Sequence, residues 1–272
     1  MIIDLHPKLL QVFTTILKQN TYHKIFIYDT LAEFMDTIQE PTFMQTVLGQ
    51  LMPIMQASFE DTKIIDGSFV PLFECICSVI RTSGEHIQPF ADSLLNRVLI
   101  IADEITRVLQ VSSSRQKTKE KVKLEYELNN NLMRCFDFVG TLTEAIPEGF
   151  AKLSSASVLP GLIFAYLATD NLFLKQMVYS VLGDLMATLD KSLFQSKIDE
   201  VIAALLGDAK VLPASLDPGK SYLSIATNAL YALSEVIEKF PERINPDLVL
   251  QKLLKIYENP KVAVHLLSCI SS

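Results

Sequence analysis

Apolar residues recur at steps of three and four along almost the whole chain. Between Ile25 and Ile38 the set Phe26, Ile27, Leu31, Phe34, Met35 and Ile38 follows helical steps, and no alternation of period two competes with it. The same spacing predicts eleven helices, over residues 6–18, 21–38, 42–59, 69–80, 87–109, 124–146, 150–167, 172–189, 193–206, 222–240 and 246–258. The breaks between them are short and carry stop signals: Asn20, Pro41, Gly67, Gly84, Pro147, Asp170 with Asn171, and Pro241. Connections this short favour antiparallel helical neighbours. Two longer interruptions, residues 111–123 and 207–220, are expected to be exposed loops. The first contains SSSRQKTKEKVK, five basic residues after three serines, and reads as a solvated loop rather than a localisation or anion-binding patch.

A longer period lies over the helical one. Second helices of successive pairs recur around Phe34, Phe73, Phe136, Leu182 and Leu230, at spacings near 45 residues except where the basic stretch is inserted. A two-helix HEAT or armadillo-type unit has this length, and it buries its apolar face only by stacking on its neighbours. The expected fold class is therefore all-α, a HEAT-repeat superhelix. A single array of about five full pairs and a partial sixth follows, with approximate bounds 1–39, 40–83, 84–146, 147–190, 191–241 and 242–272. A last helix starts at Val262 and is still apolar at the end, in VAVHLLSCISS, and the first helix has no polar capping helix before it. A fragment of a longer solenoid is the expectation.

Composition agrees with helices. With 272 residues, 49% of them apolar, and only nine Gly and twelve Pro, a disordered chain or a turn-dense β-sandwich is disfavoured. A net charge of -7, from 24 Lys plus Arg against 31 Asp plus Glu, opposes phosphate backbones, so nucleic acid is not expected as a partner and basic partners are. Four Cys without a signal-peptide pattern point to reduced thiols in an intracellular compartment. No apolar run approaches the roughly 20 residues of a membrane span.

Sites for chemistry are not found. The chain has no G-x-x-x-x-G-K-[ST], G-x-G-x-x-G or G-x-S-x-G. Cys75 and Cys77, two apart on a helix, face different sides and cannot chelate together, and His6, His23, His86 and His265 lie on separate segments. Cys135 and Asp137 have no His at a plausible helical offset. No metal, no cofactor and no enzymatic activity are expected.

What remains is a set of acids on the second helices. Asp29 and Asp36 lie two turns apart in IYDTLAEFMD, Glu74 interrupts FVPLFECICSVI, Asp137 interrupts LMRCFDFVGTL and Asp184 interrupts SVLGDLMATL. An acid amid apolar neighbours is costly to bury, so each must face solvent or meet a cation. Asp137, Asp184 and Tyr231 follow one another at intervals of 47 residues. Equivalent positions of a solenoid line one surface, which predicts an acidic and apolar channel.

At this point YHKIFIYDTLAEFMD, LMPIMQASFED with FVPLFECICSVI, the pair CFDFVGTL and VYSVLGDL, and SIATNALYALSEV resemble, in order and spacing, the C-terminal half of the transportins, importin-β-type (karyopherin-β) nuclear import receptors. The resemblance covers nearly the whole chain. It implies a receptor in cytoplasm and nucleus whose inner surface binds cargo proteins through extended, basic proline-tyrosine nuclear localisation signals. It also implies Ran GTPase as a partner of the parent protein, through repeats mostly outside this chain, and nucleoporins as further partners. By matched position, Asp29, Asp36 and Glu74 correspond to acids near the basic residue of the signal, and Asp137, Asp184, Leu223 and Tyr231 to the patch for its N-terminal element. Tyr231 stands where the family has Trp, and Asn130 where it has an acid. Against this stands a generic HEAT scaffold for protein assembly, of the phosphatase-regulatory or condensin type, since fold alone does not fix function.

Overall fold

The computed structural model describes residues 6–19, 24–37, 41–113, 118–209 and 222–257, which are helical and contain no strand. The chain divides into two compact units, Met1–Ser155 and Ala156–Ser272.

In the first unit, α1 (His6–Lys18), α3 (Pro41–Asp61) and α5 (Gln88–Ser113) alternate with α2 (Lys24–Thr37), α4 (Phe69–Ser83) and α6 (Lys119–Ala145), and a short α7 (Pro147–Phe150) follows. Helix α2 packs on α4 and α4 on α6, while α1 packs on α3 and α3 on α5. These are two layers of helices, each pair contributing one helix to each layer. Aromatic burial joins the layers: Phe59 of α3 meets Phe73 of α4 edge-on at 4.8 Å, and both approach Phe138 of α6 at 6.2 and 6.1 Å between ring centroids. Such pairs add about 0.5–1.5 kcal/mol beyond the area they bury. The C-terminal carbonyls of α3 are satisfied by Arg97 of α5, whose guanidinium donates to Phe59 O (3.1 Å) and Thr62 O (2.9 Å). Buried Asn131 donates to Ile64 O at 2.6 Å and ties α6 to the α3–α4 connection.

In the second unit α8 (Leu159–Tyr166), α9 (Leu172–Thr188), α10 (Ile198–Asp208), α11 (Tyr222–Lys239) and α12 (Pro246–Tyr257) follow, with α8 on α9, α9 on α11 and α10 on α11. Asn171 caps α9 by accepting from Leu174 N at 3.2 Å. Asp208 at the end of α10 accepts from the Tyr179 hydroxyl (2.6 Å) and pairs with Lys175 (3.1 Å), both on α9. The Lys239 ammonium of α11 donates to Leu189 O just past α9.

Three expectations require correction. Both ends of the stretch 111–123 are helical rather than loop: α5 runs to Ser113 and α6 starts at Lys119, while Ser114–Lys117 lie outside the described residues. Thr118 accepts from Lys121 N (3.3 Å) as an N-cap, Lys121 and Lys123 pair with Glu125 and Glu127 one turn on, and Ser112 donates to Glu125 at 2.9 Å. Lysines are good helix formers, and residues two apart do not face each other, so Lys119, Lys121 and Lys123 are accommodated in the first turns of α6. The helix expected over 150–167 is broken into α7, a 3-10 turn over Ser154–Val158 and α8. Pro160 lacks the N–H and would strike the carbonyl four residues back, and Asp92 pins the turn by accepting from Ser154 Oγ (2.7 Å) and Ser155 N (3.2 Å). Finally, Phe26 is not on the packed face of α2. It is 67% exposed, and Tyr28, Leu31 and Met35 form the buried stripe. Of the 207–220 loop, Gly207 and Asp208 are helical, while 210–221 and the helix expected from Val262 lie outside the described residues.

Candidate functional site

The expected site residues fall on α2, α4 and α6 of the first unit and on α9 and α11 of the second. On α2, Asp29 and Asp36 are exposed, and so is Glu33 between them. Phe26, Asp29, Glu33 and Asp36 are separated by three, four and three residues, so they form one stripe opposite Tyr28, Leu31 and Met35. No basic residue occurs from Ile25 to Thr37. Among the described residues none of these three acids has an ion-pair partner.

Helix α4 presents Glu74 to solvent while Cys75, Ile76 and Cys77 are buried behind it. The two thiols report what lies on each side. Burial raises Cys75 far above an ordinary thiol, with Cys77 and then Asp29 and Asp36 of α2 adding to the shift. Burial pushes Cys77 up to about 12; Asp137 adds to that, and Arg81, a hydrogen bond with Thr141 and Arg134 oppose it. Cys75 therefore looks toward α2 and Cys77 toward α6, as their spacing requires. Both are inert as nucleophiles at neutral pH.

On α6, Asp137 is half-exposed and Asn130 half-buried. Between them stands Arg134, whose guanidinium lies 2.8 Å from Glu74 Oε1 and 4.0 Å from Asp137 Oδ2. Side-chain exposures of 40%, 45% and 42% for Arg134, Glu74 and Asp137 keep this bridge wet. Of the four acids expected in this unit, two are thus held by a cation of the protein itself. The local signal was the Arg134–Asp137 spacing of three; nothing local announces Glu74, sixty residues earlier.

In the second unit the Tyr231 hydroxyl of α11 donates to Asp184 Oδ1 of α9 at 2.8 Å. Tyr231 is 39% exposed and Asp184 half-buried. The close approach depends on Gly183, because a Cβ there would stand 2.3 Å from Tyr231 Cε1 and 2.6 Å from Cδ1. Nearby, Asn228 of α11 donates to Gln176 O of α9 at 2.9 Å, holding the two helices in register. Leu223 lies in the first turn of α11, and its side chain is outside the described residues. The arrangement offers hydrogen-bond acceptors and an aromatic face, which suits capture of a cationic or apolar side chain. Among the described residues no group of three or more His, Cys, Asp or Glu is placed to hold a metal, and no helix is long and apolar enough to cross a membrane.

A family profile described as RNA polymerase II-associated protein 1, TPR repeats, matches residues 105–204. The chain is 22% identical over 241 residues to Transportin-1 of Oryza sativa subsp. japonica and 20% identical over 232 residues to Transportin of Dictyostelium discoideum. These alignments cover 86% and 85% of this chain but only 25% and 24% of the relatives, so the chain spans about a quarter of their length. Among solved structures, Kap95p, whose binding induces the switch loops of RanGDP to adopt the GTP-bound conformation, matches 96% of this chain and 35% of its own with a TM-score of 0.52 and 15% identity. That likeness shows an all-α fold of the HEAT-repeat type. Along most of its length the chain is similar to the transportins, and it shares the helical-repeat fold of Kap95p.

Proposed function

We propose that this chain is a section of a nuclear import receptor of the transportin kind, a single array of helix pairs whose second helices bind extended basic proline-tyrosine nuclear localisation signals of cargo proteins. The observation that carries the reading is the similarity to two transportins through more than four-fifths of the chain. The acids on α2, α4, α6 and α9, and the aromatic face of Tyr231, are the groups that such a signal would meet. Binding of this kind involves no chemistry. Charge-assisted hydrogen bonds to Arg or Lys are worth roughly 1.5–3 kcal/mol each when well formed, and several are needed because ordering an extended segment costs several kcal/mol. Ran binding and contact with nucleoporins belong to the same reading of the parent receptor, as does passage between cytoplasm and nucleus.

A second reading, a helical scaffold for protein assembly, is favoured by the match of residues 105–204 to the RNA polymerase II-associated repeats. The spacing of 47 between Asp184 and Tyr231 fits HEAT-type units rather than TPR units, which recur at about 34 residues, and a HEAT scaffold shares it, so the two readings are separated by peptide binding.

Calorimetric titration with a basic proline-tyrosine peptide tests the proposal. Affinity that falls with added salt, and falls roughly tenfold or more on Asp29→Lys with Asp36→Lys but not on Glu104→Lys of α5, is the expected outcome. Equal effects at both places, in folded variants, would leave only the scaffold.

A further inference from the structure

The acids of the first unit are not equivalent, and Arg134 makes the difference. Glu74 and Asp137 share its guanidinium at 2.8 and 4.0 Å, whereas Asp29, Glu33 and Asp36 have no ion-pair partner among the described residues. A cation that approached Glu74 would displace Arg134, lose the bridge already formed and meet the displaced positive charge nearby. A cation that approached α2 would meet three exposed carboxylates on one stripe, with the 67%-exposed ring of Phe26 one turn before Asp29. An apolar ring beside several acids fits a peptide in which a basic residue sits next to an apolar one.

We infer that Arg134 is a built-in occupant of the Glu74–Asp137 pair, a specificity-determining residue that directs the basic residue of an incoming peptide to the Asp29–Glu33–Asp36 stripe of α2. The inference rests on the peptide-binding reading above. It differs from that reading in one respect: Glu74 is silent toward the peptide while Arg134 is present and becomes a contact when Arg134 is removed. Lysine at position 134 still neutralises the pair, so Arg134→Lys is expected to preserve the silence.

A double-mutant cycle on the full chain tests it, with an Arg-centred basic proline-tyrosine peptide titrated at two salt concentrations. In the parent protein, Glu74→Gln is expected to change Kd by less than about twofold, while Asp29→Asn together with Asp36→Asn weakens it by about tenfold. Arg134→Gln is expected to tighten binding by about three- to fivefold with a steeper dependence on salt, and Glu74→Gln in that background then weakens it by a similar factor. A Glu74→Gln effect that is large and equal in both backgrounds would overturn the inference, as would weaker binding on Arg134→Gln. Were Arg134→Gln to unfold, the comparison of Glu74→Gln with the α2 pair in the parent protein would still decide. Absence of any peptide binding, in every variant, would instead overturn the reading beneath it, and the inference with it.

Discussion

Each unit holds an expected site carboxylate in place, by different means. In the first, Arg134 bridges Glu74 and Asp137 at the surface, and the bond is one of charge. In the second, Tyr231 reaches Asp184 through a hydroxyl, over a glycine that lets its ring lie against α9. A guanidinium contact compensates the charge of the carboxylate it holds, whereas a contact from a neutral hydroxyl adds no charge of its own. Counting acids along a sequence therefore overstates the field around Glu74 and Asp137.

The comparison is broken most severely at Gly183. A side chain there has no room beside Tyr231, so Gly183→Val is expected to displace the ring and lower stability by about 1–3 kcal/mol, read by thermal or urea unfolding. Asn131→Ala bears on the first unit with an effect of the same order, about 1–3 kcal/mol, because Ile64 O is left buried without its donor. Tyr231→Phe removes only the hydrogen bond and is expected to cost about 0.5–1.5 kcal/mol with little dependence on salt. Arg134→Gln is expected to cost about 0–1 kcal/mol at low salt and nothing measurable at high salt, since its bridge is exposed and screened. If Arg134→Gln proved as costly and as salt-independent as Tyr231→Phe, the distinction between the two surfaces would fail. The smallest effect expected is none: alkylation at pH 8, mapped by mass spectrometry, should spare Cys75, Cys77 and Cys135, which are buried, with Cys77 pushed up to about 12.

The helix pairs were legible because their cause is local. Steps of three and four placed α1 to its residue bounds and most other helices within a few residues, and the acids of the second helices followed from the same count. Errors arose where nonlocal or chemical detail decides. Helical spacing puts Phe26 on the apolar face of α2; the buried stripe begins instead at Tyr28, whose polar tip makes it look like a surface residue, although its side chain reaches Ser58 of α3. The run 150–167 has helical spacing, but the spacing is blind to Pro160 and to Asp92, which arrives from α5 to hold the turn. The basic run has the charge pattern of a solvated loop, but from Thr118 onward helix propensity and the Thr118 cap decide. Glu74 was legible as an acid and not as half of an ion pair, since Arg134 comes from the next helix pair.

The central claim is that the second helices, and α2 above all in the first unit, receive a basic peptide. Chemical-shift mapping of the isotope-labelled chain with an Arg-centred proline-tyrosine peptide tests it most directly. The expected result is saturable perturbation of the backbone amides around Asp29, Glu33 and Asp36, and around Asp184 and Tyr231, that is lost at high salt. Perturbations confined to the first helices α3, α5, α8 and α10, or none at saturating peptide, would contradict it.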